Sequence, residues 1–262
     1  MLSDFDVIVR RFDSAIKIAC ISDIHLGALE HMEAEWNRFL ASVVADPNLY
    51  LILGGDLINN NTRSSVGSPW DDTIRPREQK KMMVEALKPI KDRILCCVSG
   101  NHERRSMKDA DDDPTYDIMA KLDLEDVYRQ NAAFMKIQLG KHDGFTDKAK
   151  QTYTFAVTHG AGGGIYTGAT VNRNERWGNV IEGIDCVIVG HTHKGTVTRP
   201  SKLVFDPYKN IVTMKDYLVV SCVSWQRYAE YPLQKMMLPS TTGRPQILYL
   251  SDKHQKNIEV RW

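Results

Sequence analysis

The sequence predicts an α/β fold in which two packed sheets are flanked by helices. Three observations predict it. Near-continuous Val/Ile/Leu runs in the first half, at 16–23, 49–56 and 93–101, read as strands covered on both faces. Segments with apolar residues at helical spacing alternate with these runs. Later runs alternate apolar with polar residues, which suits antiparallel strands with one half-exposed face. No linker or internal repeat divides the 262 residues, so 1–262 is read as a single domain.

Each element follows from its residues in order. IKIACISD (16–23) is a β-rich run ending on an acid. Residues 30–45 place Met32, Trp36, Phe39, Leu40 and Val43 at helical spacing. LYLILGGD (49–56) is an apolar strand. Residues 77–92 read as a helix with a late Pro89, 93–101 as a buried strand and 113–130 as a helix. The runs 132–140, 152–160, 185–191, 194–202, 216–225, 245–251 and 257–262 read as extended.

Lys plus Arg exceed Asp plus Glu by only 34 − 33 = 1, so bulk charge gives no support for a nucleic-acid partner. Cys20, Cys96, Cys97, Cys186 and Cys222 lie in apolar runs without CxxC spacing, as reduced, buried thiols do. The N-terminus is charged and alternating, unlike a signal peptide. No apolar stretch approaches the ~20 residues of a membrane span. A soluble, cytoplasmic protein with no membrane partner is expected.

Chemistry gathers at strand ends. Asp23 and His25 close the first run, Asp56 the second, and Asn101, His102 and Glu103 the third. His159 and the pair His191/His193 close two later ones. Ligand crevices of open α/β sheets lie outside the carboxyl ends of strands, so five such ends can converge. Carboxylate, amide carbonyl and imidazole suit two divalent ions, Mn first, with Fe or Zn as alternatives. Asp56 is expected to bridge ions ~3.5–4 Å apart. Asp23 and His25, two residues apart, are expected to hold one ion, completed by His193. Asn101, His159 and His191 are further candidate ligands.

Two dications against two carboxylates leave a positive excess that attracts phosphate, and a water between them would be acidified and attack phosphorus in line. His102 is placed to donate to the departing ester oxygen, with Glu103 orienting its imidazole. One histidine at a strand end would more often be structural. Five in fixed order with Asp23, Asp56 and Asn101 reverse that balance. His31, His142 and His254 read as surface residues.

The order DxH, GD, GNHE, H, GHTH resembles the calcineurin-like metallophosphoesterase superfamily, and the resemblance covers nearly the whole chain. It implies a four-layer α-β-β-α sandwich of two mixed sheets flanked by helices. It also implies Asp23, His25 and His193 on one metal, Asp56 bridging, Asn101, His159 and His191 on the second, and His102 on the scissile phosphate. GGDLINNNTR lacks the acidic-arginine signature that protein phosphatases of the superfamily carry after GD. The GDL form is similar to the nuclease and phosphodiesterase branches, although those nucleases usually read GNHD. THGAGGG and GHTHK resemble single-domain phosphoesterases of phages and prophages. The expected activity is hydrolysis of phosphate diesters, nucleotides or nucleic-acid ends among them. A phosphomonoesterase, or a non-catalytic binding scaffold on the same fold, is the alternative.

The polar loop 59–76 reads either as one wall of the substrate cleft, with Asn59, Arg63 and Trp70 as candidates, or as a mobile loop. Arg104 and Arg105 read either as a guanidinium that binds a phosphate oxygen of the substrate or as solvated surface arginines. Tyr228 and Tyr231 are candidates to stack on a base, against the plainer alternative of packing. GAGGGIYTG (160–168) lacks a following GK[ST] and reads as a tight, close-packed loop near the site.

Overall fold

The computed structural model describes residues 5–63, 65, 72–140, 151–234, 236–253 and 255–262, and the account below concerns those residues. One six-stranded sheet has the order β14 (Ile258–Arg261), β13 (Ile247–Leu250), β2 (Ile16–Ile21), β3 (Leu49–Leu53), β4 (Ile94–Val98), β5 (Tyr128–Arg129). Its strands β2 to β5 are parallel, and β13 and β14 are antiparallel to their neighbours. The other has the order β1 (Val7–Phe12), β6 (Ala132–Leu139), β7 (Gln151–Thr158), β8 (Cys186–Val189), β12 (Leu218–Ser221), β9 (Thr196–Thr198). Here β7, β8 and β12 are parallel, β6 is antiparallel to β7 but parallel to β1, and β9 is antiparallel to β12.

Period-two alternation explains how this sheet is covered. Phe155, Val157, Cys186, Ile188, Leu218 and Val220 face the main core shared with the other sheet. Their neighbours Ala156, Val187, Val189 and Val219 face a smaller cluster, against which Trp177 of α5 (Thr167–Val180) packs. The other sheet shares the main core with α1 (Glu33–Ala45), α2 (Pro76–Leu87) and α4 (Pro114–Ala120). Two mixed sheets with flanking helices are therefore present, as the sequence predicts.

Several elements differ from expectation. The helix at 77–92 ends as α2 at Leu87 and tightens into a 3₁₀ turn, Lys88–Arg93. Pro89 lacks the N–H an α-helix needs and disfavours α geometry before it. The predicted helix 113–130 is α4 only to Ala120; Asp123 then turns left-handed (φ 60°), and the chain enters β5. Polar α3 (Glu103–Ala110) and α5 are missed because neither carries a broad apolar stripe. β1, an edge strand with mixed faces, is missed too. The run 194–202 is broken at Pro200 into β9 and β10 (Ser201–Asp206), which pairs with β11 (Ile211–Asp216). All five cysteines are free and buried. No helix among the described residues is long and apolar enough to cross a membrane.

Candidate metal centre

Five loops meet at one end of the sandwich. Asp23/His25, Asp56 and Asn101 follow the adjacent parallel strands β2, β3 and β4. His159 and His191/His193 follow β7 and β8, parallel neighbours in the other sheet. Asp23, His25, Asp56, His191 and His193 all have left-handed backbones (φ 48–69°). Such non-glycine conformations cost free energy and gather at functional sites. Here they turn the chain sharply so that alternate side chains reach inward. Close approach of the loops requires glycines. A Cβ on Gly100 would lie 2.0 Å from Asp56 Oδ1, and one on Gly190 2.1 Å from Ser22 Oγ.

Three groups of potential ligands result: Asp23 with His25 and His193, Asp56 with His159 and His191, and His25 with Asp56 and His102. In the first, Asp23 Oδ1 lies 3.2 Å from His193 Nε2 and 3.8 Å from His25 Nε2, and those two nitrogens are 3.1 Å apart. In the second, Asp56 Oδ2 is 3.2 Å from His159 Nε2, while Asn101 Oδ1 is 2.9 Å from His159 Nε2 and 2.6 Å from His191 Nδ1. Asp56 Oδ2 also lies 3.7 Å from His25 Nε2, so this carboxylate stands between the two groups. The seven residues expected as ligands are thus brought together.

The donor set fits divalent cations. Asp23 Oδ1 is buried and accepts no hydrogen bond, although Oδ2 accepts one from the His191 N–H at 2.9 Å. His159 Nδ1 donates to Gly54 O at 2.8 Å, leaving Nε2 against the Asp56 carboxylate. Without a metal, that nitrogen must carry a proton. Burial opposes this charge most, but Asp56 and Asp23 outweigh it and raise the imidazole to about 10. Burial also pushes Asp23 upward, yet the His193 and His159 imidazoles hold it at about 2. Burial, reinforced by His102, holds His25 well below the usual histidine range, so its lone pair is free. A cationic proton in a nest of carboxylates marks where a metal ion finds a favourable field.

The expected second-rank residues fare differently. His102 Nδ1 donates to the Asn59 carbonyl at 2.7 Å, and Arg105 Nη2 donates to His102 Nε2 at 3.0 Å. His102 is therefore neutral in this state, its pKa lowered by burial and further by Arg105, with Asp56 opposing. Glu103 does not touch that imidazole. Its carboxylate accepts the backbone N–H groups of Asp56 (3.1 Å), Ile58 (3.1 Å) and Gly100 (3.0 Å), tying the GD loop to the GNHE turn. Asn59 contributes its carbonyl; its side chain donates to Asp72. Arg104 turns away, donating to Ser99 O and Gln130 O. Arg105 is the guanidinium beside the centre, braced by Asn61 Oδ1 at 2.8 Å.

Tyr228 donates to Met237 O at 2.8 Å and has no described contact with the centre. Arg63 is exposed. Trp70, His142 and His254 lie outside the described residues, as does the side chain of Tyr231. The glycine-rich segment is largely exposed rather than close-packed, pinned where Lys194 Nζ donates to Gly164 O at 2.8 Å. His31 is half-buried, its Nδ1 donating to Ile24 O, and is no surface residue.

Sequence reasoning missed the supports. Asp72 accepts from both Asn59 and Asn61, and Gln79 Oε1 accepts from the Asn60 N–H while its amide donates to Asp72. The run of three asparagines after GDL was the available signal. Ser224 Oγ and the Trp225 N–H both donate to Asp23 O, so the stretch after β12 fixes the first ligand loop.

Comparison with known proteins adds an independent finding. The model of the calcineurin-like phosphoesterase family matches residues 16–195. No curated protein matches the chain. Among solved structures, a conserved uncharacterized protein, a predicted phosphoesterase from Streptococcus pneumoniae TIGR4, aligns over 95% of this chain and 99% of its own, with 11% identity and a TM-score of 0.34. The nuclease MPE of Pseudomonas putida aligns over 92% of this chain and 87% of its own, with 15% identity and a TM-score of 0.35.

Proposed function

Because the chain belongs to the calcineurin-like phosphoesterase family, we propose that it hydrolyses phosphate diesters, nucleotides or nucleic-acid ends among them, at a centre of two divalent ions, Mn first. The observation that carries this reading is Asp56, whose carboxylate stands between two sets of buried nitrogen and oxygen donors. Asp23, His25 and His193 would hold one ion, Asn101, His159 and His191 the other, with Asp56 shared. Bound dications supply Lewis acidity, neutralising phosphate charge and lowering the pKa of a coordinated water.

The chain's own groups bind and orient the substrate. Arg105 offers N–H donors at the rim, where its Nη2 now spends one on His102. A phosphate oxygen arriving there replaces His102 as the acceptor. His102 Nε2 is then released beside a new negative charge, which favours its taking up a proton from solvent, and the imidazole can give that proton to the departing alkoxide. The Asn59 carbonyl keeps Nδ1 protonated and the ring fixed throughout.

The test is turnover of bis-p-nitrophenyl phosphate and of p-nitrophenyl phosphate by Mn-loaded protein. Mn-dependent cleavage favouring the diester is expected. His102→Ala should lose about 10²–10⁴-fold in kcat while keeping its metal. Full activity in that variant would refute the role of His102, and no turnover on any phosphate ester would refute the activity.

A further inference from the structure

The glycine-rich segment leaves one candidate ligand, His159, and is tied back beside another, His193. Gly160 and Gly162 have left-handed backbones (φ 84° and 77°), and a Cβ on them would lie 2.6 Å from Val189 Cγ1 and 2.8 Å from Arg173 Cζ. Glycine thus lets the chain run close over β8 and α5. Two cations then take the carbonyls that follow. Arg173 Nη2 donates to Gly163 O at 3.0 Å, and Lys194 Nζ donates to Gly164 O at 2.8 Å and to Ile165 O.

Lys194 is a costly residue for this place. It is only 6% exposed. Burial alone acts on its ammonium and pushes its pKa down, with no carboxylate to offset the effect. A buried charge without a counter-charge is expensive. Packing alone would be served better by an apolar side chain, so what the lysine adds is its grip on the two carbonyls.

That grip acts next to a ligand that needs holding. The His193 imidazole is 39% exposed, whereas Asp23, His25, Asp56 and His159 are buried. Its Nε2 faces Asp23 Oδ1 at 3.2 Å and His25 Nε2 at 3.1 Å, while its Nδ1 has no partner among the described residues. A metal-bound histidine is ordinarily oriented by a hydrogen bond on its second nitrogen. Here the backbone must do it, in a left-handed conformation (φ 55°). The turn is braced on each side of that residue. Thr192 Oγ1 lies 3.1 Å from Ser221 Oγ at the end of β12, and Lys194 holds the glycine-rich segment.

We propose that Lys194 is a positioning residue of the metal centre: by gripping Gly164 and Ile165 it sets His193 against Asp23 and His25, so that the affinity for one ion depends on how segment 160–168 is held. This rests on the two-ion reading above. Arg173, which fixes the same segment from α5, supports the same ligand at one further remove.

Calorimetric titration of the metal-free full chain with Mn tests this. The wild type is expected to take up two ions. Lys194→Met, which keeps an unbranched chain but loses the ammonium, should weaken one step about tenfold and leave the other in place. Lys194→Arg should recover most of that loss, since a guanidinium also donates to carbonyls. Arg173→Met leaves the GHTHK turn untouched and should weaken the same step a few-fold, so the test stays decisive even if Lys194→Met does not fold. Both steps unchanged in the two methionine variants, or both weakened alike as a general loss of structure would do, would overturn the proposal and leave the two-ion reading standing. A wild type that takes up fewer than two ions would overturn that reading, and the proposal with it.

Discussion

Replacing Glu103 with glutamine probes the centre without replacing a ligand candidate. The carboxylate is fully buried and receives three backbone N–H groups, two on Oε2 and one on Oε1. Glutamine keeps two of these bonds if its oxygen takes the Oε2 place. Its amide then faces the Ile58 N–H, donor against donor. One bond to a charged acceptor is lost, worth about 1.5–3 kcal/mol, and buried donors are left unpaired at about 1–3 kcal/mol. A relief works the other way in the metal-free chain, where burial, then Asp56, raises Glu103 to about 7. A neutral amide escapes that penalty, so the metal-free loss is smaller than these two losses alone would give.

Bound dications reverse the relief, because they favour the carboxylate's charge. The metal-loaded protein should therefore lose more stability than the metal-free one, and the difference is a loss of metal affinity of about 10- to 100-fold. Urea denaturation with chelator and with saturating Mn, alongside a direct Mn titration, measures both quantities. Unchanged midpoints in both conditions would refute the anchoring role. Unchanged stability and affinity with lost turnover would show instead that Glu103 acts in the chemistry.

Three further outcomes are expected. Arg105→Ala should lower kcat/KM for a diester about 10- to 100-fold, as loss of a charge-assisted bond implies, while Arg104→Ala leaves KM unchanged because Arg104 serves Ser99 and Gln130; equal effects would refute the distinction. Gly100→Ala should abolish metal retention, measured by elemental analysis, since its Cβ would sit 2.0 Å from Asp56 Oδ1. Metal loading near neutral pH should displace the proton on His159, which is raised to about 10, so affinity should rise about tenfold per pH unit below that value for this proton, and pH-independent titrations would refute it. The sign for the metal-free fold is opposite: a raised imidazole stabilises it below the ordinary 6.5 and ceases to do so as pH passes about 10.

The parts legible in sequence were those with a short-range signature. The apolar runs that became β2, β3, β4, β7 and β8 were visible, and so were the polar residues that end them. Invisible were contacts set by tertiary folding. Nothing in GNHE says that its glutamate accepts the backbone of another loop 45 and 47 residues away. Adjacent Arg104 and Arg105 look equivalent, yet a helical turn sends them to different sides of α3. The polar helices α3 and α5 owe their form to neighbours rather than to an apolar stripe. Asp72 became a support only once the chain doubled back beside Asn59 and Asn61.

Each set of donors draws from both sheets: His193 from one joins Asp23 and His25 from the other, and Asn101 crosses over to His159 and His191. A cation gripped by either set is then a rivet through the sandwich. Chelation should loosen the sliding of one layer over the other and speed amide exchange far from the cleft. Repacking the interior between the layers should, by the same linkage, retune how firmly the ions are gripped.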